Sequence, residues 1–421
     1  MKSTLVVILL LVPLACSGQM LWTVEGGQLV IDQALLDDVM AKSSRQFEIS
    51  VEGGSFRVYV DKVTAPNLGV TSISGRIDGN LESFFLLCRT ENRKTIAFFR
   101  TADGFSYRLD HTKGYEEVYA VEVGEFKNCA GGLDPQEVRR GGEPHRILPA
   151  KPLPNPDKSR SVADDGSRHD IVIGYTPAAE EYMGGGDYIR AEAQLAVDAA
   201  NLTYNNSNID SELRLVLVMP TDYEEISAWE FEDHVIYLWY PNDGYMDDML
   251  IKRDLVGADF VSVLIDGRDF FGDLIACGVA PVMQSDEVNQ GFQDLALSIV
   301  SVQCATTNWT LAHEVGHNRG CAHDRDHANV DGAYSYSYGN LFAWDGETET
   351  GLRTVMAYDH FHFPHERVPY FSNPEVEFAG DATGVWPGLE GEAHNALTHD
   401  NTTTVCAAFR GERTFVNPIA A

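Results

Sequence analysis

The run His313-Glu314-Val315-Gly316-His317-Asn318-Arg319-Gly320-Cys321-Ala322-His323-Asp324 sets the tightest condition this chain places on its fold. His313 and His317 are four residues apart, so on a helix their imidazoles leave one face, a turn apart. Gly320 can take a backbone conformation closed to other residues, ending the helix and turning the chain so that His323 returns to the same point. The fold must therefore supply a helix, a reversal and a loop that converge. Three imidazoles suit one zinc ion and leave its fourth position open to water, as hydrolytic zinc chemistry requires. Glu314 is placed to lean toward that water. A closed structural site would need a fourth protein ligand. The only thiol in the run, Cys321, points elsewhere if His323 turns inward.

The sequence before this run predicts alternating strands and helices. Residues 169–176, 213–219, 258–265 and 296–302 read as strands, with 258–265 central. Residues 188–204 read as a long helix, with Ile189, Leu195, Ala196, Ala199 and Leu202 apolar. Residues 277–282 read as a short edge strand, because Gly278 and Pro281 do not suit a central one. A helix starting at Thr310 carries the first two imidazoles. Nearer the N-terminus, residues 55–60 alternate, with Phe56, Val58 and Val60 on one face and Arg57 and Tyr59 on the other. Residues 83–88 and 95–99 are further strands, and no catalytic cluster accompanies them.

Charge divides the chain in the same way. Of 63 acidic and 31 basic residues, 41 and 11 fall from His169 onward, a net of −30, against −2 before it. That balance repels nucleic acid and anionic membranes and favours solubility. Residues 130–168, rich in Pro, Gly and Asp and carrying Arg139-Arg140 and Lys158-Ser159-Arg160, read as an exposed linker with sites for an activating cut. Residues 1–18 combine a basic start, an apolar run and small residues, the pattern of a secretory signal peptide. Cys16 adds a lipid-anchored alternative to free secretion. No other stretch approaches membrane-spanning length.

The full spacing resembles the extended zinc signature HExxHxxGxxH of the metzincin metalloendopeptidases, and Asp324 after the third His resembles their reprolysin or adamalysin branch. Arg353-Thr354-Val355-Met356-Ala357-Tyr358-Asp359 resembles the Met-turn, a tight loop whose Met forms an apolar floor beneath the zinc. Pro369-Tyr370-Phe371-Ser372-Asn373-Pro374 resembles the segment that follows it in bacterial peptidyl-Asp metalloendopeptidases. The resemblance spans roughly residues 169–406. It implies an α/β (α+β) fold, a metzincin-like catalytic domain at 169–421 with a twisted mixed sheet and an active-site helix. Everything after Gly320 would form a smaller subdomain below the cleft. A mainly β prodomain would occupy 19–129 and act as the latency partner. A long Tyr-rich insert, 334–338, between His323 and Met356 departs from the pattern; it reads as packing for the lower subdomain or as a rim loop.

The resemblance also implies roles. His313, His317 and His323 would hold a single Zn2+, with Glu314 as general base and Met356 beneath. Tyr358 would either approach the oxyanion or pack. Cleavage of protein or peptide substrates beside an acidic residue would need a cation in the pocket. Arg353 and Arg367 are nearest in sequence, with solvent-exposed or structural roles as the alternative. Cys277, Cys304, Cys321 and Cys406 suggest two disulfides with three possible connectivities, and the resemblance would pair Cys304 with Cys406. Cys129 admits two readings, a cysteine switch whose thiolate fills zinc's open position or a disulfide with Cys88. Ca2+ has no EF-hand-like spacing to support it. Two other classes share the zinc residues. A zinc-binding pseudoenzyme would act as a secreted binding or inhibitory protein, and a zinc hydrolase of non-peptide substrates would ignore denatured protein.

Overall fold

The computed structural model describes residues 18–25, 28–51, 54–64, 68–121, 126–140, 167–225, 231–269, 271–285, 291–343, 351–359 and 365–411. The leader with Cys16 and the basic Lys158-Ser159-Arg160 cluster lie outside these residues.

The N-terminal β-rich region is a seven-stranded antiparallel meander whose strands lie in chain order, from Gln46–Val51 through Gly54–Thr64, Val70–Ile77, Phe84–Thr90, Thr95–Arg100 and Ser106–Asp110 to Glu117–Val121. The strand Phe84–Thr90 shows why this region reads as apolar runs rather than clean alternation, because it is buried on both faces. Phe85 and Leu87 face a core closed by Trp22, Phe47 and the helix Gln33–Met40. Phe84, Leu86 and Cys88 face the other way, into the core of the C-terminal region.

That second region is a mixed α/β unit. Its sheet runs Gly132–Leu133, Gly278–Pro281, Leu297–Ser301, Phe260–Ile265, Arg168–Tyr175, Glu212–Pro220. Neighbours are parallel except for Gly278–Pro281, which is antiparallel to Leu297–Ser301. The long helix Gly186–Asn206 is the crossover that parallel strands Arg168–Tyr175 and Glu212–Pro220 require. It buries Leu195, Ala196, Ala199 and Ala200 against its own sheet and the active-site helix, and meets the N-terminal meander as well. The strands and helices expected from the sequence are all found, but Gly278–Pro281 is not the edge expected of it, because Gly132–Leu133 pairs along its outer side.

Three other expectations are corrected. Residues 130–140 are not exposed linker: Gly132–Leu133 adds a strand beside Gly278–Pro281, and Pro135–Arg140 is a short helix with Val138 buried. The disulfide joins Cys277 to Cys304, leaving Cys406, Cys321, Cys88 and Cys129 as free buried thiols. A Cys304–Cys406 bond is excluded because Cys406 sits on the C-terminal helix Asn395–Ala407, buried in a different cluster from Cys304. That helix also returns to the main sheet rather than staying below the cleft: His169 Nε2 lies 3.0 Å from the Thr403 carbonyl. In the Tyr-rich insert Tyr334 and Tyr336 stack at 5.3 Å, and the Tyr336 hydroxyl accepts from Asn401 of the C-terminal helix. No helix among the described residues is long and apolar enough to cross a membrane.

Candidate metal centre

The active-site helix spans Thr310–Asn318 and is buried along its whole length. Its C-terminal turn depends on Gly320, which has φ +88°, and any side chain there would meet Ala333 at 2.6 Å. The reversal brings His323 back so that its Nε2 lies 3.2 Å from His313 Nε2 and 3.0 Å from His317 Nε2. Tetrahedral zinc with bonds of about 2.0–2.1 Å separates its nitrogen ligands by roughly 3.3–3.4 Å, so the three atoms fit one ion.

The other ring nitrogens fix the tautomers. His313 Nδ1 is 2.8 Å from the Val355 carbonyl and His317 Nδ1 is 2.8 Å from the Cys321 carbonyl. A carbonyl only accepts, so each Nδ1 carries the proton and each Nε2 presents its lone pair. Burial, then repulsion from neighbouring imidazoles, holds His313 and His323 well below the usual histidine range, and burial brings His317 to about 4. All three are neutral near pH 7, the state that binds metal.

Glu314 is fully buried, and neither carboxylate oxygen has a hydrogen-bond partner. Burial pushes it up to about 8. Room for it comes from Gly278, where a Cβ would run into Glu314 and approach Thr310 Cγ2 at 2.8 Å. Gly316 does the same below the helix, since a Cβ there would lie 2.7 Å from Met356 Sδ. Met356 is completely buried, with its sulfur against Gly316 of the active-site helix. Neither glycine stood out in the sequence, although Gly316 lies inside the motif.

Asp324 ties the third-histidine loop to the Met356 turn, accepting from Tyr358 N at 2.9 Å and meeting His327 Nδ1 at 2.8 Å. The Tyr358 ring packs 4.0 Å from that of His323, and its hydroxyl donates to the Cys129 carbonyl at 2.8 Å. Arg353 and Arg367 are buried beside this turn, not solvent-exposed. Cys129 is also brought in. Its Sγ and the ligand atoms of His313 and Glu314 all lie within 4.8 Å of one another. It is held by main-chain pairing to the strand at Gly278, with Cys277 N on Asn128 O at 3.2 Å and Ala130 N on Gly278 O at 2.9 Å. Cys88 lies elsewhere, 3.4 Å from Asp198 Oδ2 on the long helix, so no Cys88–Cys129 disulfide exists.

The comparisons with known proteins agree with this centre. A reprolysin-type family model described as metallo-peptidase family M12 matches residues 166–372. A peptidyl-Asp metalloendopeptidase of Stenotrophomonas maltophilia (strain K279a) is 30% identical over 365 residues, covering 86% of this chain and 77% of the relative. Proteins of the same description from S. maltophilia (strain R551-3) and Xanthomonas campestris pv. campestris are each 29% identical, over 364 and 273 residues. The first of these covers 86% of this chain and 77% of the relative, the second 63% and 58%. The chain belongs to the reprolysin-type M12 zinc metalloendopeptidases, among the relatives of the bacterial peptidyl-Asp metalloendopeptidases.

Proposed function

We propose that the protein is an exported zymogen whose mature form cuts protein chains beside acidic residues, with Glu314 as the proton-transferring residue. The observation that carries this is the three converging Nε2 atoms with a buried, unpartnered carboxylate on the same helix. His313, His317 and His323 would hold one zinc ion, which when bound supplies a Lewis acid and a water of lowered pKa. Glu314 is not among the three imidazole ligands. As a carboxylate it takes a proton from the attacking water and returns one to the departing amine. Met356 and Gly316 fix the height of the helix above its floor. Val355 O and Cys321 O hold two of the rings in the ligating tautomer. Tyr358 lies beside His323, where it can orient the reacting carbonyl.

The strand Gly278–Pro281 is a natural seat for an extended substrate. In the full-length chain residues 128–133 use its hydrogen-bonding groups, so substrate and this segment exclude each other. Latency follows, with Cys129 as the group nearest Glu314 and His313 and residues 19–129 as the prodomain. Cys129 is pushed above the usual thiol range by burial, and a bound metal favours the thiolate. Export through residues 1–18 agrees with the Cys277–Cys304 disulfide. The catalytic domain is assigned to 169–421.

The test is hydrolysis of denatured casein by zinc-loaded protein, before and after proteolytic activation, beside Glu314→Ala and chelator-treated samples. Cleavage that needs the metal and falls by about 10²-fold or more in the variant supports the assignment. A zinc-loaded, activated sample that cuts no protein would sink it.

A further inference from the structure

The acidic preference has a specific reader, an inference that rests on the endopeptidase reading above. The short strands Gly351–Arg353 and His365–Arg367 pair in parallel with Arg353 directly opposite Arg367. Both arginines are buried, 2% and 1% exposed. Like charges opposed on neighbouring strands repel, and a buried guanidinium without a counter-charge is strongly unfavourable. Something must compensate.

Among the described residues, the hydrogen bonds of the pair all go to main-chain carbonyls. Arg353 donates through Nε to His365 O at 2.9 Å and through Nη1 to Ala357 O at 2.9 Å. Arg367 donates through Nη1 to Asn308 O at 3.0 Å and through Nη2 to the same Ala357 O at 3.2 Å. Its Nε is buried with no partner. Glu366, next to Arg367 in sequence, pairs with Arg100 instead, and Asp359, whose charge acts on both arginines, already accepts from His365 N through Oδ1 at 2.5 Å. The guanidinium of Arg367 thus bridges the entry to the active-site helix, at Asn308, and the turn beside Met356. Its charge is felt by Glu314, Cys129 and Tyr358. It has an Nε–H and a second Nη–H uncommitted, the side-on fork that matches a carboxylate.

We infer that Arg367 is the specificity-determining residue, receiving the carboxylate of an acidic substrate side chain next to the scissile bond, and that Arg353 is the positioning residue that holds Ala357 O and keeps the site cationic. A substrate carboxylate here gives the buried Nε–H of Arg367 the acceptor it lacks. The same charge lies close to Cys129, so the latency segment and an acidic substrate compete for one region.

The experiment uses activated, zinc-loaded enzyme and peptides that differ only in carrying Asp or Asn immediately after the scissile bond, with zinc content measured in every sample. For the wild type kcat/KM should favour Asp by roughly ten- to a hundredfold, the worth of a charge-assisted pair over a neutral one. In Arg367→Gln the ratio should fall toward unity. Arg367→Lys, which keeps the charge but not the fork, should give an intermediate ratio. It serves even if the Gln variant folds poorly, because a ratio does not depend on the amount of active enzyme. Arg353→Gln should lower the ratio and Arg353→Lys restore part of it, whereas a merely structural role would slow both peptides equally. An Arg367→Gln enzyme that keeps the wild-type ratio overturns the inference, as does a wild type indifferent to Asp and Asn. If Arg367 only tuned Glu314, both peptides would slow together with a displaced pH profile. Absence of zinc-dependent cleavage of any peptide would strike the endopeptidase reading itself.

Discussion

Replacing Glu314 by Gln should abolish hydrolysis and yet stabilise the metal-free protein, by an amount that grows with pH. The carboxyl is raised from its ordinary 4.5 to about 8 by burial. A raised acid binds its proton more tightly in the folded state. Its contribution to stability is therefore complete below about pH 4.5 and is lost as pH rises toward 8. The loss is about 1.4 kcal/mol per pH unit within that window. Between pH 5.5 and 7.5 the wild type should lose about 2–3 kcal/mol from this group alone, and the Gln variant nothing. His313, His317 and His323 are shifted the other way, so they weaken the fold as pH falls, but they do so equally in both proteins and cancel in the comparison. Any fixed cost of burying the Gln amide cancels likewise when the two pH values are differenced. Urea unfolding of chelator-treated wild type and Glu314→Gln at both pH values reads the quantity directly. A stability difference that does not change with pH would refute the claim that the unpartnered carboxylate is an ionisation penalty built into the site.

Other outcomes follow from the same contacts. Cys129→Ser in the uncut chain should raise casein hydrolysis above the uncut wild type at equal zinc content, and no gain would remove Cys129 from the latency device. Gly278→Ala places a methyl against Glu314 and Thr310. It should cost about 1–3 kcal/mol in thermal or urea unfolding and lower kcat by roughly tenfold or more, because Glu314 is displaced. Cutting the chain between residues 141 and 166 should leave the two fragments together on size-exclusion chromatography and the enzyme still latent. Separate elution of a fully active C-terminal fragment would contradict the shared core.

Much of this centre could be read from the chain, for a physical reason: a helix periodicity and one glycine reversal suffice to converge His313, His317 and His323. The same holds for the strands around them, whose apolar runs match two-sided burial. What could not be read depended on register across distant segments. Cys277 and Cys304 meet because Gly278 pairs with Val300, which sets Ser301 N on Cys277 O at 2.8 Å, and no local pattern encodes that pairing. Gly278 and Gly316 look like ordinary glycines until the side chains passing over them, Glu314 and Met356, are known. Arginines are usually solvated, so the burial of Arg353 and Arg367 goes against the prior. It appears only when their two strands are paired. Residues 130–140 have linker composition, but Gly132 passes beside His317 and packs so closely on Val282 that a Cβ there would lie 2.5 Å from Val282 Cγ2.

The proposed latency would act as competition for one strand rather than through a single thiol. The segment at 128–133 is anchored at both ends. Downstream, Val282 N bonds to Leu133 O at 3.0 Å and Asn329 Nδ2 to Gly132 O at 2.9 Å. Upstream lies the meander, whose Phe84 and Phe98 pack 5.2 and 5.4 Å from Trp309, the residue that opens the active-site helix. Arg108 of the meander forms a buried ion pair with Glu192 of the long helix, and the other Glu192 oxygen accepts from Thr306 at 2.6 Å. Removing one partner of such a pair leaves a buried charge exposed to a cost of about 3–5 kcal/mol, so the meander does not leave readily. A cut downstream of residue 140 severs neither anchor. On the proposed reading, opening the cleft would require loss of the meander or a second cut upstream of Cys129, and the apolar contacts at Trp309 make the second route the less costly.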